Sequence, residues 1–486
     1  MNNRVENFYL VYDFKGGDDY IPNCLNHDTT DILFEQGGRV NHVVMDYYFK
    51  NFVQIPVMVE NLNVHWDIFD ATTINFIKQK TLLETDDVFL YPVEAFANID
   101  HILGTEHTYN KKCFVEYMSD EALGYLKDPN NKFYCVINFC NEGTLTGHVF
   151  DYLYNICERY HIPTYKLIFV IACADLEFLH DEYCENKGIQ EKDRIFVKYW
   201  TWSIREKVDE AVQIIADESG HRRVNLLTEE KSTIVMPKDL DENKDIIRNK
   251  KFLMFNRRMR DHRVLFISLF GRDFINKNYI SYDFDHCHDA SEIQFFEERV
   301  NEEFWEYGLK NMRDVIKNKP KSVIDFEEVF KTVGFGCEDK RPYLDSYIHL
   351  TSETNFYEPG VYFSEKTWKP IINLQPFIMI NYYNSLEYLK KLGMKTFSPF
   401  IDESYDKIRD GRERASAIYK EIKRLDSLPI EELHDWYNSI KPILLHNREV
   451  LFKYKEDYMR KVECEYISEL KSYVNNTYNR KNTNLI

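Results

Sequence analysis

Near-continuous apolar runs, each followed by an amphipathic stretch, constrain this chain more than any other feature. Phe133-Tyr-Cys-Val-Ile-Asn-Phe139 and Leu167-Ile-Phe-Val-Ile-Ala-Cys173 leave almost no polar face. A strand with one face in water alternates polar and apolar residues, whereas a strand of a parallel sheet covered by helices on both sides does not. Runs of this kind recur at Phe8 to Tyr12, Val53 to Val59, Val88 to Pro92 and Ile195 to Trp200. Between Phe139 and Leu167 the pattern predicts a helix from about Val149 to Tyr160, stopped at His161-Ile-Pro163, because proline cannot continue a helix.

A second series follows a polar stretch at 234–250 that carries one proline and no stable period, which reads as an interdomain linker. Its strands are expected at Lys251 to Phe255, Tyr279 to Phe284, Ser346 to Thr351 and Pro376 to Ile380. Helical patterning then dominates from Ser404 to about Tyr478, with a restart at Leu428-Pro-Ile-Glu-Glu432. The 486 residues exceed what one ordinary core accommodates. The expected organisation is therefore α/β, with a Rossmann-like domain over 1–240, a second over 241–430, and C-terminal helices over 431–486 that cross back to the first.

Charge and cysteine content narrow the function classes. With 62 Lys and Arg against 80 Asp and Glu the net charge is −18, which argues against a surface coated by polyanion, although a local basic groove is compatible with it. Ten cysteines lie scattered with no CxxC pair, unlike a disulfide framework or a zinc ribbon. The N-terminus lacks the apolar core of a signal peptide and no stretch approaches 18 apolar residues, so a cytoplasmic protein without membrane contact is expected. His286-Cys287-His288 offers two ligands on one strand face and no evident fourth, so no metal site is assigned.

Two constellations carry chemistry. In the first, the strand ending at Asn256 runs into Arg257, Arg258 and Arg260 and then a helix. Ligands of open parallel sheets sit at strand carboxyl ends, where helix N-termini present free N–H groups, and guanidinium groups there suit a pyrophosphate. In the second, a strand ends at Ser352-Glu353, and Ser364 caps a helix whose first turn holds Glu365 and Lys366. A lysine opposes the helix dipole at that end unless an anion faces it. Each constellation also fits a solvated, capped helix start with surface ion pairs.

The Ser364-Glu365-Lys366 helix followed by Pro376-Phe-Ile378 resembles the donor-site signature of the α-1,3-fucosyltransferase family. With Leu389, Gly393, Thr396-Phe397 and Ile401-Asp-Glu-Ser-Tyr-Asp406 it is also similar to glycosyltransferase-like proteins of phages and large viruses. The resemblance spans about residues 250 to 410 and implies a GT-B fold, two Rossmann-like domains with the donor in the second. It implies that Lys366 meets the donor diphosphate, that Glu365 meets ribose or nucleotide hydroxyls, and that Arg257, Arg258 or Arg260 meets phosphates. Asn256, Ser352, Glu353 and Ser364 complete that donor set. The continuation Trp368-Lys-Pro-Ile371 departs from the fucosyltransferase pattern, so GDP-fucose is not carried over.

The implied activity is transfer of a sugar from a nucleotide-sugar donor, UDP- or GDP-linked, to an acceptor hydroxyl without a required metal. The acceptor is a glycan or glycoconjugate, or a hydroxymethylated base if the chain is a phage protein that modifies DNA in its host's cytoplasm. An inverting transfer needs a general base from the first domain. Glu142, beside Gly143 after a strand, is the first candidate, and Glu94 and Asp175 lie near other strand ends. The alternative is an inactive protein of the same fold that binds a nucleotide sugar or a glycan.

Overall fold

The computed structural model describes residues 8–10, 88–94, 113–118, 120–139, 148–199, 234–256, 260–281, 340–357, 359–453, 469 and 472–474. The chain divides into two compact units, Met1–Thr201 with Tyr458–Ile486, and Trp202–Asp457. Each contains a parallel sheet, so the architecture is α/β with two Rossmann-like units.

The first sheet has five described strands in sequential order: β1 (Phe8–Leu10), β2 (Val88–Glu94), β3 (Phe133–Phe139), β4 (Leu167–Ile171) and β5 (Phe196–Tyr199). Helices α1 (Asp120–Lys127), α2 (Val149–Tyr160) and α3 (Leu176–Lys187) cover it. β4 is buried along its whole length, as a strand covered on both faces must be. Ile137, Leu153, Ile156, Phe169 and Leu176 belong to one continuous core. α2 closes with His161 in the left-handed region, φ 56°, and Ile162 N–H reaching back to Cys157 O at 2.8 Å. α3 closes in the same manner on Gly188, φ 69°, a conformation that favours glycine. The strand expected at Val53 to Val59 lies outside the described residues.

The second sheet runs β7-β6-β8-β9, from β6 (Lys250–Met254), β7 (Tyr279–Ile280), β8 (Ser346–Ser352) and β9 (Phe377–Ile380). The segment expected as a linker contains a helix, α4 (Pro237–Glu242), begun by proline at its first turn and by Asp239 accepting Met236 N–H at 2.7 Å. After it come α5 (Asp261–Lys277), α6 (Arg341–Leu344), α7 (Glu365–Ile372), α8 (Ser385–Lys391), α9 (Gly411–Ser427), α10 (Ile430–Ser439) and α11 (Lys441–Lys453). α5 breaks at Gly271, whose φ of 67° is not helical.

α10 and α11 pack on the second unit, although the sequence places them on the first. Tyr437 donates to Leu374 O at 2.9 Å, and buried Arg448 donates to Val235 O at 2.7 Å. The tail joins the first unit farther on, where the ring of Tyr473 lies 4.7 Å from that of Phe196 and its hydroxyl donates to Tyr165 O at 2.9 Å. The observed divisions at 201/202 and 457/458 therefore differ from those expected at 240 and 430. Among the described residues no helix is long and apolar enough to cross a membrane.

Candidate functional site

The second sheet changes direction between β6 and β8. From β6 the chain passes through α5 to β7 on one side, while β8 passes through α7 to β9 on the other. Such a reversal opens a crevice at the strand carboxyl ends, and in open α/β sheets ligands occupy it. Here the crevice is bordered by Asn256 beyond β6, Ser352 and Glu353 at the end of β8, and the first turns of α5 and α7.

α5 brings three basic side chains to this place. Arg260 is its N-terminal flanking residue. His262 donates through Nε2 to Glu353 O at 2.8 Å and stacks on Phe356 with centroids 5.4 Å apart. Burial, then the Arg263 charge, push its pKa well below the usual histidine value, so the ring is neutral near pH 7. Arg263 is 2% exposed and donates to Ser352 O and Glu353 O, each at 3.0 Å, and to Ser352 Oγ at 3.3 Å. Burial first and the Arg260 charge second lower its pKa to about 10, with Glu353 and Glu365 opposing them. It stays charged at neutral pH, and its field reaches the residues named with it.

α7 starts on a buried carboxyl group. Glu353 is fully buried, and its Oε1 accepts Ser364 N–H at 2.9 Å, Thr367 N–H at 3.1 Å and Thr367 Oγ1 at 2.6 Å. Its Oε2 accepts Ser364 Oγ at 2.6 Å and Thr354 N–H at 3.3 Å. A carboxylate belongs at a helix N-terminus, where it meets free N–H groups and the positive end of the dipole. Glu353 thus links the two helices, through its carbonyl to α5 and through its side chain to α7.

Lys366 leans back over this turn. Its Nζ donates to Glu365 Oε1 at 2.6 Å and to Ser364 Oγ at 3.2 Å. Burial alone would raise the pKa of Glu365, but the charges of Lys366 and Lys369 and the bond from Lys366 outweigh it and bring the value to about 2. Glu365 is ionised, and Lys366, Lys369 and Arg263 all place positive charge within reach of it.

Of the donor set read from sequence, Asn256, Arg260, Ser352, Glu353, Ser364, Glu365 and Lys366 are gathered at these strand and helix ends, while Arg257 and Arg258 lie outside the described residues. Glu142 also lies outside them, as does His286-Cys287-His288. Glu94 is the last residue of β2, in register with Asn138 of β3. Asp175 flanks the start of α3, is 5% exposed, and accepts from Cys173 Sγ at 3.1 Å. Sequence reasoning misses His262 and Arg263. The signal that singles out Lys366, a cation in a helix's first turn, is equally present at Arg263. Among the described residues no group of three or more His, Cys, Asp or Glu side chains is placed to hold a metal ion.

No family model and no curated protein matches the chain. Among solved structures, an α,α-trehalose 6-phosphate synthase from Burkholderia multivorans is similar over 96% of this chain and 99% of its own, with 12% identity and a TM-score of 0.30. An α,α-trehalose-phosphate synthase (UDP-forming) from Burkholderia vietnamiensis covers the same shares, with 11% identity and a TM-score of 0.36. Likenesses this distant carry no argument about activity, which rests on the site's own chemistry.

Proposed function

We propose that this chain is a metal-independent glycosyltransferase of the GT-B kind, which holds a UDP- or GDP-linked sugar at the second unit's switch point and transfers the sugar to an acceptor hydroxyl of a glycan or glycoconjugate. One observation carries the reading. The first turns of α5 and α7 both bear cations and are tied together through Glu353 beside the crevice between β6 and β8.

The chemistry asks for this arrangement. As the acceptor oxygen attacks the anomeric carbon, the bond to the nucleoside diphosphate breaks and negative charge grows on the leaving group. Fixed cations and N–H groups stabilise that charge without reorganising. Lys366 is to exchange its bond with Glu365 for a diphosphate oxygen, which frees Glu365 to accept ribose hydroxyls. Arg260, with Arg257 and Arg258, takes the phosphates, and buried Arg263 adds its field. The acceptor's proton passes to a carboxylate of the first unit, Glu142 first, then Glu94. Asp175 stands last because it is buried and already bonded to Cys173.

A panel of UDP-, GDP-, CMP- and dTDP-linked sugars tests this by thermal shift and by release of nucleoside diphosphate. A ligand at 100 times its dissociation constant adds ~2.7 kcal/mol of stability. The expected result is a clear rise in melting temperature with a UDP- or GDP-sugar, and diphosphate release when acceptor is added. A shift without turnover on any acceptor favours the inactive sugar-binding alternative. No shift with any donor contradicts both.

A further inference from the structure

Asn256 is 1% exposed, and neither its Oδ1 nor its Nδ2 has a hydrogen-bond partner. Its backbone N–H is satisfied by Ser281 Oγ at 3.0 Å, so only the side chain is orphaned. Four other described side chains contain an unpaired buried atom, Arg194, His349, Gln375 and Glu403, but each holds a partner through another of its polar atoms. Asn256 holds none. Burying a bare amide opposes folding, and such groups are rare in folded chains.

Position suggests what the amide is for. Phe252 faces α5, its ring 5.3 Å from that of Phe274, and strand side chains alternate, so Met254 at the end of β6 shares that face. Asn256 stands two residues past β6, beside the switch point and four residues before Arg260 at the start of α5. The amide and the helix start are independent pointers to one ligand.

The chemistry of an amide separates the parts of that ligand. A diphosphate oxygen only accepts, so it would satisfy Nδ2 and leave Oδ1 bare. A hydroxyl both donates and accepts, so hydroxyls satisfy both atoms. We propose that Asn256 is a specificity-determining residue that recognises sugar hydroxyls of the donor, on its ribose or on the transferred sugar, while the neighbouring cations take the phosphates. This rests on the donor-site reading above.

The test compares the wild-type chain with Asn256→Leu, which keeps the shape of the side chain and removes both polar atoms. Inorganic pyrophosphate, UDP, GDP, UDP-glucose and GDP-mannose are titrated calorimetrically, and melting temperatures are measured without ligand. Asn256→Leu should melt at the same or a higher temperature, since a bare buried amide is gone. It should bind pyrophosphate within about twofold of wild type, and should lose about tenfold in affinity for whichever nucleotide ligand the wild type prefers. A loss already present with UDP or GDP assigns the contact to ribose, and a loss seen only with the sugar-linked forms assigns it to the transferred sugar. Unchanged nucleotide affinity, an equal loss for pyrophosphate, or a lower melting temperature overturns the role of Asn256 and leaves the donor site standing. If the wild type binds neither pyrophosphate nor any nucleotide, the donor-site reading itself fails.

Discussion

The two sheets differ in what gathers at their strand carboxyl ends. In the second unit Arg263, His262, Glu353 and Ser364 bond one another there across two helix starts, while buried Arg248, Ser346 and Gln375 are joined at the strand amino ends. In the first unit Asp175, bonded to Cys173, is buried beyond β4, and the other described examples lie elsewhere. Lys166, 1% exposed and one residue before β4, donates to Asn131 O and Oδ1, each at 2.6 Å, and so ties down the loop that enters β3. Tyr154 of α2 meets His180 at 3.1 Å and Cys184 at 3.4 Å, both on α3. Burial lowers the pKa of His180 to about 4, so it is neutral near pH 7 and carries no charge to a ligand. The same strand-helix architecture thus uses buried polar groups at strand amino ends and between helices to fix the fold. Only in the second unit, among the described residues, do they converge with excess positive charge at the end of the sheet where ligands dock.

The comparison is most easily broken at Glu353. Glu353→Ala should destabilise the second unit by about 3 to 5 kcal/mol, because two hydroxyls and two N–H groups at the start of α7 lose a buried acceptor together. Urea unfolding measures this directly. A loss below about 1 kcal/mol would mean that α7 does not depend on this carboxyl group.

A smaller effect sharpens the other side. Burial lowers the Lys166 pKa from 10.5 to about 7. Because the unfolded chain holds this proton up to pH 10.5 and the folded chain only to about 7, the contribution of Lys166 makes folding more favourable as pH rises between those values. Lys166→Met should therefore be more stable than wild type by roughly 1 to 2 kcal/mol at about pH 6, after the lost bonds to Asn131 are set against the buried charge. That advantage should shrink and reverse toward pH 10.5. Nucleotide affinity should stay within about twofold. A pH-independent difference, or a large loss of affinity, would erase the distinction between the two sheets.

Much of this architecture is legible in the amino-acid sequence. The uninterrupted run Phe133–Phe139 forms β3 with those limits, and Pro163 stops α2 near the expected residue. Local chemistry decides such elements. α4 reads as a linker because its polar composition hides a helix start, proline in the first turn with an acidic residue after it. At the site, Ser364 is recognisable as a cap from its type and position. Glu353 reads as a ligand contact, yet its carboxyl group is occupied by α7. That occupation depends on Ser364 and Thr367, eleven and fourteen residues away, folding back onto it. The orphaned amide of Asn256 depends on burial by distant segments, which no local pattern encodes.

The central claim is that the linked starts of α5 and α7 bind one diphosphate. Calorimetric titration of UDP and GDP into wild type and Lys366→Ala tests it most directly. Each charge-assisted bond contributes ~1.5 to 3 kcal/mol, so the variant should bind its preferred nucleotide about tenfold to a hundredfold more weakly. Its melting temperature should fall by no more than a few degrees, because Glu365 loses its nearest cation but keeps Lys369 and the helix dipole as partners. Binding within about twofold of wild type would reduce Lys366 to half of a surface ion pair and contradict the account.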